Sequence, residues 1–291
     1  MKVSVLITSH NAAPYIEEAI ASALNQTYPP VEVVVVDDGS TDGSRDFIAS
    51  YGHQIILVRK RNGGQYSAHN TGFAYCSGQA VAFLDGDDVF APQKLELVVA
   101  ALERYPEAGS CFHPRVRETL DGGERTGLAQ RGVIDFTRRA RLASMPSIAT
   151  TTSAMTIRRS ILDEVLPLPE DMRIAADDHI LKWACLAAAP AVFLEDFLAV
   201  QRIHSANYSL GYGDPARAGA YSVVRAGLVR SRYPQLALWA DRVFIEGCSA
   251  WRKAGGSDAP TRAAIAGYLG DLGPAHRAIV AGVAKLHTLI V

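Results

Sequence analysis

Three acids crowd into four positions, Asp85, Asp87 and Asp88 around Gly86, directly after the apolar run 80–84. Carboxylates this close repel one another unless a cation screens them. A hard divalent ion, Mg2+ or Mn2+, does so with one or two protein carboxylates and completes its shell with water and phosphate oxygens. The plainer alternative is a solvated turn ahead of a helix start, where acids are favoured anyway. A second acidic turn, Asp37-Asp38-Gly39-Ser40, follows the valine-rich run 31–36, and its plain reading is a turn in which Ser40 or Thr41 caps the next helix. A third acidic pair, Asp177-Asp178, opens a segment with helical periodicity. Adjacent helical side chains point about 100° apart, so only one of the two can face a substrate; capping is the alternative role.

The elements that must hold these groups are legible in the first third of the chain. Short β-branched runs at 3–8, 31–36, 55–59 and 80–84 alternate with helical patterns at 14–24, 45–51 and 66–76, the signature of βαβ units and a mostly parallel sheet. Pro14 is expected at a first helical position, and Pro92 is expected to open a helix running to about Arg104. In open α/β sheets ligands gather beyond the carboxyl ends of the strands, where both acidic turns fall. The first strand ends in Thr8-Ser9-His10-Asn11 without glycine, and neither a GxGxxG fingerprint nor a GxxxxGK[ST] loop occurs, which argues against a dinucleotide-dependent dehydrogenase and a P-loop NTPase. From 109 to 203 strands mix with short helices, among them a strand at 153–157, a helix at 177–188 and a strand at 198–203. Beyond Gly213 the chain becomes alanine-rich and helical, punctuated by Pro215, Pro234, Pro260 and Pro274.

Taken in order, 3-VSVLITSHN, Asp37-Asp38-Gly39-Ser40-Thr41-Asp42, Asn62-Gly63-Gly64 ahead of 68-AHNTG, Phe83-Leu84-Asp85-Gly86-Asp87-Asp88, Ala176-Asp177-Asp178-His179 and 201-QRIHSAN resemble the family 2 glycosyltransferases of GT-A fold over about residues 1–210. The resemblance implies an α/β fold, a mixed, mostly parallel nucleotide-binding sheet flanked by helices, here with a C-terminal helical extension. It implies an inverting transfer from a nucleotide-diphosphate sugar, UDP-linked by expectation, to an acceptor hydroxyl of a growing glycan or lipid-linked glycan. Thr8, Ser9 and Asn11 would flank the base or ribose, Asp38 would accept from the base, Asn62 and Asn70 would border the pocket, and Asp85 and Gly86 would meet the ribose. Asp87 and His204 would hold a divalent metal, Mn2+ or Mg2+, on the diphosphate. Asp178 would be the general base, with Asp177 as the alternate. The implied domains are 1–210, split into a donor half 1–105 and an acceptor half 106–210, and the extension 211–291.

Composition narrows the partners. Twenty-nine Lys and Arg against 30 Asp and Glu leave a formal charge of -1, which removes the electrostatic case for nucleic-acid binding. Hydrophobic residues at 48% support a substantial core. Cys76, Cys111, Cys185 and Cys248 show no CxxC or zinc-ligand spacing and read as buried thiols of a reducing compartment. With no apolar run approaching the ~20 residues of a membrane span, the expectation is a cytoplasmic protein, with room for peripheral contact at the inner face of the membrane and for a homodimer through the C-terminal helices. The rival enzyme class, a sugar-phosphate nucleotidyltransferase, lacks its basic glycine-rich loop here. The rival without catalysis is a nucleotide-sugar-binding protein on the same scaffold.

Overall fold

In this computed structural model the residues described are 1–29, 32–119, 122–137, 148, 150–168, 178–204, 207 and 214–290. The chain divides into two compact units, one of Met1–Phe136 and Ser147–His204, the other of Thr137–Pro146 and Ser205–Val291.

The first unit opens with β1 (Val3–Ser9), α1 (Ile16–Leu24), β2 (Glu32–Asp37), α2 (Ser44–Ser50), β3 (Ile56–Arg59), α3 (Gln65–Phe73) and β4 (Ala80–Asp85). It continues with β5 (Val89–Phe90), α4 (Lys94–Arg104), β6 (Ser110–Phe112), β7 (Arg115–Thr119), β8 (Gly122–Thr126), β9 (Gly132–Ile134) and β10 (Met155–Arg158). It closes with α5 (Arg159–Val165), α6 (Asp178–Ala188), β11 (Ala191–Phe193) and β12 (Ala199–Arg202). The large sheet has the order β3-β2-β1-β4-β10-β6-β11-β9, parallel through its first four strands and mixed beyond. A smaller sheet, β5-β12-β7-β8, joins segments far apart in sequence.

Every residue of β1 is buried, because helices cover both sheet faces. On one face Val3, Val5 and Ile7 join Val33, Val35, Ala82 and Leu84 against Ile16, Ala19 and Ile20 of α1, Ile48 of α2 and Leu95 and Val99 of α4. On the other, α3 lies over the sheet with His69 meeting the Phe83 ring edge-on at 5.2 Å. The helix expected to begin at Pro14 begins instead at Ile16. The Ala12 and Ala13 N–H groups donate to Ser44 Oγ and Asp42 Oδ2, and those bonds hold the preceding residues in a turn. Arg158 and Arg159, at the end of β10 and the start of α5, donate to backbone carbonyls of Leu102, Ala108, Cys76 and Gly78.

The second unit consists of α7 (Pro215–Arg232), α8 (Ala237–Lys253), α9 (Ala259–Gly270) and α10 (Pro274–Ile290) among its described residues. Asp214 caps α7 through Ala216 N, with Pro215 at the first helical position, and Asp258 caps α9 through Thr261 N. Gly219 and Gly247 let α7 and α8 approach backbone to backbone: a Cβ on Gly219 would lie 2.4 Å from Trp251 N. The four helices converge on one side chain. Asp241 of α8 accepts from Arg230 of α7 at 2.6 Å, Tyr268 Oη of α9 at 2.7 Å and His276 Nε2 of α10 at 2.9 Å. All four cysteines are buried free thiols. Among the described residues no helix is long and apolar enough to cross a membrane.

Two stability predictions follow from these contacts. Asp241→Ala leaves three donors facing a hole and is expected to destabilise the helical unit by about 3 kcal/mol, checked by chemical denaturation; an unchanged midpoint would refute the hub. His69 is 1% exposed, neither ring nitrogen has a partner, and burial pushes its pKa from 6.5 to about 4. The unfolded chain therefore takes a proton that the folded one refuses, so stability falls as pH drops from about 6.5 to about 4. His69→Met is expected to flatten that part of the stability-versus-pH curve.

Candidate functional site

The site begins with strand register. Ser9 pairs with Asp37 and Thr8 pairs with Asp85, so β1, β2 and β4 end level with one another. The first-strand loop and both acidic turns therefore emerge along one edge of the sheet, at the carboxyl ends of parallel strands.

Short-range bonds then weld the loop after β1 to the turn after β2. Asn11 N donates to Ser40 Oγ at 3.0 Å, and Thr41 N donates to Asn11 Oδ1 at 2.8 Å. Asn11 adopts φ 53°, a left-handed conformation that asparagine tolerates. Asp37 is wholly buried, accepts from Ser40 N and pairs with Arg45 at 3.1 Å. Asp38, also buried, takes Lys60 Nζ at 2.7 Å and Gly63 N at 3.0 Å on Oδ1, and Gly64 N at 2.8 Å on Oδ2. The carboxylate thus sits at the N-terminus of α3, where the helix dipole favours negative charge. Gly39, at φ +78°, allows this loop to close, since a Cβ there would fall 2.7 Å from Asn62 N. His10 Nδ1 lies 3.0 Å from the Asp38 carbonyl and donates to it, leaving Nε2 to accept from the Asn62 amide at 3.1 Å. Asn70 exchanges both bonds of its amide with the Leu168 backbone, at 2.8 and 2.7 Å.

The acidic turn after β4 separates its three carboxylates by environment. Asp85 is half-buried and accepts from Gln65 Nε2 at 2.9 Å, while Gly86 N donates to Thr8 O at 2.9 Å. Asp88 is 2% exposed and accepts from Ser153 Oγ at 2.6 Å and from Arg202 N at 3.1 Å. Burial, then the charge of Asp87, push its carboxyl upward from the usual range, against the pull of those two donors. Ser153 also accepts from Asp85 N and, through its carbonyl, from the buried Lys94 Nζ at 2.8 Å, whose ammonium lies over the Phe90 ring. Burial holds the Lys94 pKa well below that of a free lysine.

Asp87 faces outward from this framework. Its Oδ2 lies 3.2 Å from His204 Nε2, across 117 residues of sequence. The pairing of β12 with β5, Val200 with Val89, brings the two together. The donor set fits a hard divalent ion: two ligands ~2.1 Å from an octahedral ion sit about 3.0 Å apart on adjacent corners, close to the separation here. Among the described residues no group of three or more His, Cys, Asp or Glu forms a cage, so water and substrate oxygens would have to fill the other positions.

The sequence-level residues thus divide. The structure brings Thr8, Ser9, Asn11, Asp38, Asn62, Asp85, Gly86, Asp87 and His204 to the ends of β1, β2, β4 and β12, and places Asn70 on α3. Asp178 is the first residue of α6, and its side chain lies outside the described set; Asp177 lies outside the described residues altogether. Sequence reasoning missed Gln65, Ser153 and Lys94, which no short spacing connects to the acids. The hydroxyl run Thr150–Ser153 was the available signal, since four consecutive hydroxyls are unusual beside a buried strand.

The sequence model of glycosyl transferase family 2 matches residues 4–166. The uncharacterized glycosyltransferase alr2836 of Nostoc sp. is 38% identical over 221 residues, which are 71% of this chain and 66% of that protein, so the chain spans just under two thirds of its relative. Among solved structures, S. aureus TarS 1-349 in complex with UDP-GlcNAc aligns at TM-score 0.67 and 19% identity, covering 99% of this chain and 88% of the other. The mannosyltransferase PcManGT from Pyrobaculum calidifontis, in complex with GDP-Man and Mn2+, aligns at TM-score 0.55 and 21% identity, covering 99% and 87%. At these identities the likeness establishes the fold, which agrees with the sheet order and the level strand ends. The family match spans more than half of the chain and contains both acidic turns, and by it the chain belongs to glycosyl transferase family 2.

Proposed function

We propose that this chain is an inverting glycosyltransferase that moves a sugar from a UDP-sugar to a hydroxyl of a growing glycan or lipid-linked glycan. The observation that carries the reading is the level ending of β1, β2 and β4, which sets Asp38, Asp85 and the Asp87–His204 pair along one edge. A nucleoside diphosphate laid along that edge meets Asp38 with its base, Asp85 with its ribose and Asp87 with its phosphates. Thr8, Ser9, Asn11 and Asn62 line the base end, Gly86 the ribose, and Asn70 borders the pocket from α3.

Asp38 favours uracil. An ionised carboxylate offers about four acceptor sites, and Lys60, Gly63 and Gly64 occupy three of them. The one remaining suits a base presenting a single N–H, such as N3–H of uracil. Guanine presents N1–H beside its amino group and calls for a pair of acceptors. The TarS complex holds UDP-GlcNAc and the PcManGT complex holds GDP-Man with Mn2+, which supports a nucleotide-sugar donor and a metal and leaves the choice of base to Asp38.

In the reaction Asp178 takes the proton of the acceptor hydroxyl, with Asp177 as the alternate base. The freed oxygen attacks the anomeric carbon from the side opposite the diphosphate, the bond to the diphosphate breaks, and the configuration inverts. Asp87 and His204 would hold Mn2+ or Mg2+, which neutralises charge on the departing diphosphate.

Binding tests this directly. With Mn2+ present, UDP is expected to raise the melting temperature more than GDP; at 100-fold excess over Kd the stabilisation is about 2.7 kcal/mol. Equal or greater stabilisation by GDP would overturn the uracil assignment. Asp178→Asn is expected to keep UDP binding while lowering kcat at least ~100-fold, whereas Asp87→Ala should weaken the Mn2+-dependent part of binding itself. If Asp178→Asn turned over like the parent protein, the base assignment would be wrong.

A further inference from the structure

Ser153 and Lys94 are wholly buried beside the acidic turn. The antiparallel pairing of β10 with β4 sets Thr156 opposite Ala82, and the same register continued three residues along each strand brings Ser153 level with Asp85. There the serine hydroxyl is used twice. Its Oγ accepts from Asp85 N at 3.1 Å and donates to Asp88 Oδ2 at 2.6 Å. The Ser153 carbonyl is used as well, accepting from Lys94 Nζ at 2.8 Å, and that ammonium lies 3.3 Å from the centroid of the Phe90 ring. Phe90 belongs to β5, which pairs with β12 at Ala199.

A lysine in an apolar interior is costly, and a hydrophobic side chain of like size commonly fills such a place more stably. Stability alone therefore gives no reason for Lys94; what it supplies is a fixed donor for the Ser153 peptide. The hydrogen-bond chain from Lys94 through Ser153 to Asp88 ends at the Arg202 N–H, which Asp88 Oδ1 accepts at 3.1 Å, two residues before His204. The His204 ring has contacts of its own, among them the stacked Tyr15 ring with centroids 4.5 Å apart. What the chain from Ser153 decides is where the strand end carrying that histidine lies. The acidic turn itself is closed tightly, Asp88 N donating to Asp85 O at 3.0 Å. A shift of Ser153 is thus felt at Asp85 directly, and at Asp87 and His204 through Asp88.

We propose that Ser153, braced by Lys94, is a positioning residue that fixes the ribose acid and the metal pair in one frame, so that nucleotide and metal bind cooperatively. The proposal rests on the reading that Asp85 meets the ribose while Asp87 and His204 hold the donor's metal. Contacts at two points of one ligand reinforce each other when their separation is set before it binds. Ser153→Ala takes one donor from a buried carboxylate and the acceptor from the Asp85 peptide, and the turn must then find other partners.

The experiment is calorimetric titration of UDP in Mn2+ and again in EDTA, the ratio of the two dissociation constants measuring how far metal and nucleotide help each other. For the parent protein the ratio is expected to be at least ~50-fold. Ser153→Ala is expected to lower it about tenfold, the effect of losing an outer partner of metal ligands, while UDP in EDTA binds within threefold of the parent. A merely structural role would weaken both titrations alike and leave the ratio unmoved. A Ser153→Ala ratio within twofold of the parent's overturns the proposal and leaves the metal reading standing. If the parent itself binds UDP equally with and without Mn2+, or if Asp87→Ala keeps the parent's ratio, the metal reading has failed and the role of Ser153 goes with it. Should Ser153→Ala not fold, Lys94→Met replaces the buried ammonium by an apolar chain of similar length. An at least threefold fall in the ratio is then expected, and an unchanged ratio overturns the proposal.

Discussion

A carboxylate sealed from water has to bring its hydrogen bonds with it, and the two that Asp88 accepts decide where two other segments lie. Ser153 Oγ fastens the turn before β10 to the end of β4, and the Arg202 N–H fastens the end of β12 to the same point. Asp87 and His204 stand next to these anchors. Their approach to 3.2 Å is thus set by a buried neighbour that never has to touch a substrate. The same serine receives the Asp85 N–H, so one hydroxyl ties the first and last acids of the turn together.

The acids that crowd the sheet edge are reconciled by giving each a different partner. Asp37 has Arg45, Asp38 has Lys60 and two backbone N–H groups, Asp85 has a glutamine amide, and Asp88 has neutral donors. Asp87 faces the His204 imidazole, and on the proposed reading the same two atoms would turn to a shared metal. The near-zero net charge of the chain conceals this local arrangement, in which charge is balanced residue by residue.

The parallel half of the fold was legible because strands covered on both faces must be apolar throughout, and the runs of valine and isoleucine are hard to read otherwise. The acidic turns were legible because they follow those runs. The smaller sheet was not, since β5 has two residues and β12 four, and pairing between them depends on contacts a hundred residues apart. The resemblance singled out Asp87, but spacing alone did not separate it from Asp88: adjacent identical residues become an outward-facing acid and a buried anchor only once the chain has turned between them. Tyr15 read as one more member of an apolar helical period, and its stack with His204 spans 189 positions of sequence that no local pattern links. Asp38 was expected at the base, and the structure adds that most of its bonding capacity is spent ordering the 60–64 loop.

The convergence of α7, α8, α9 and α10 on Asp241 has a consequence for how the helical unit can vary. Helices that pack only through apolar surface can be trimmed one at a time, each removal subtracting its own area. Helices that share one acceptor cannot, because deleting α10 also strips His276 from a carboxylate that Arg230 and Tyr268 rely on. Loss of any one of the helices that donate to Asp241 therefore disturbs the acceptor that the others share, and the unit's stability belongs to the set and not to its members.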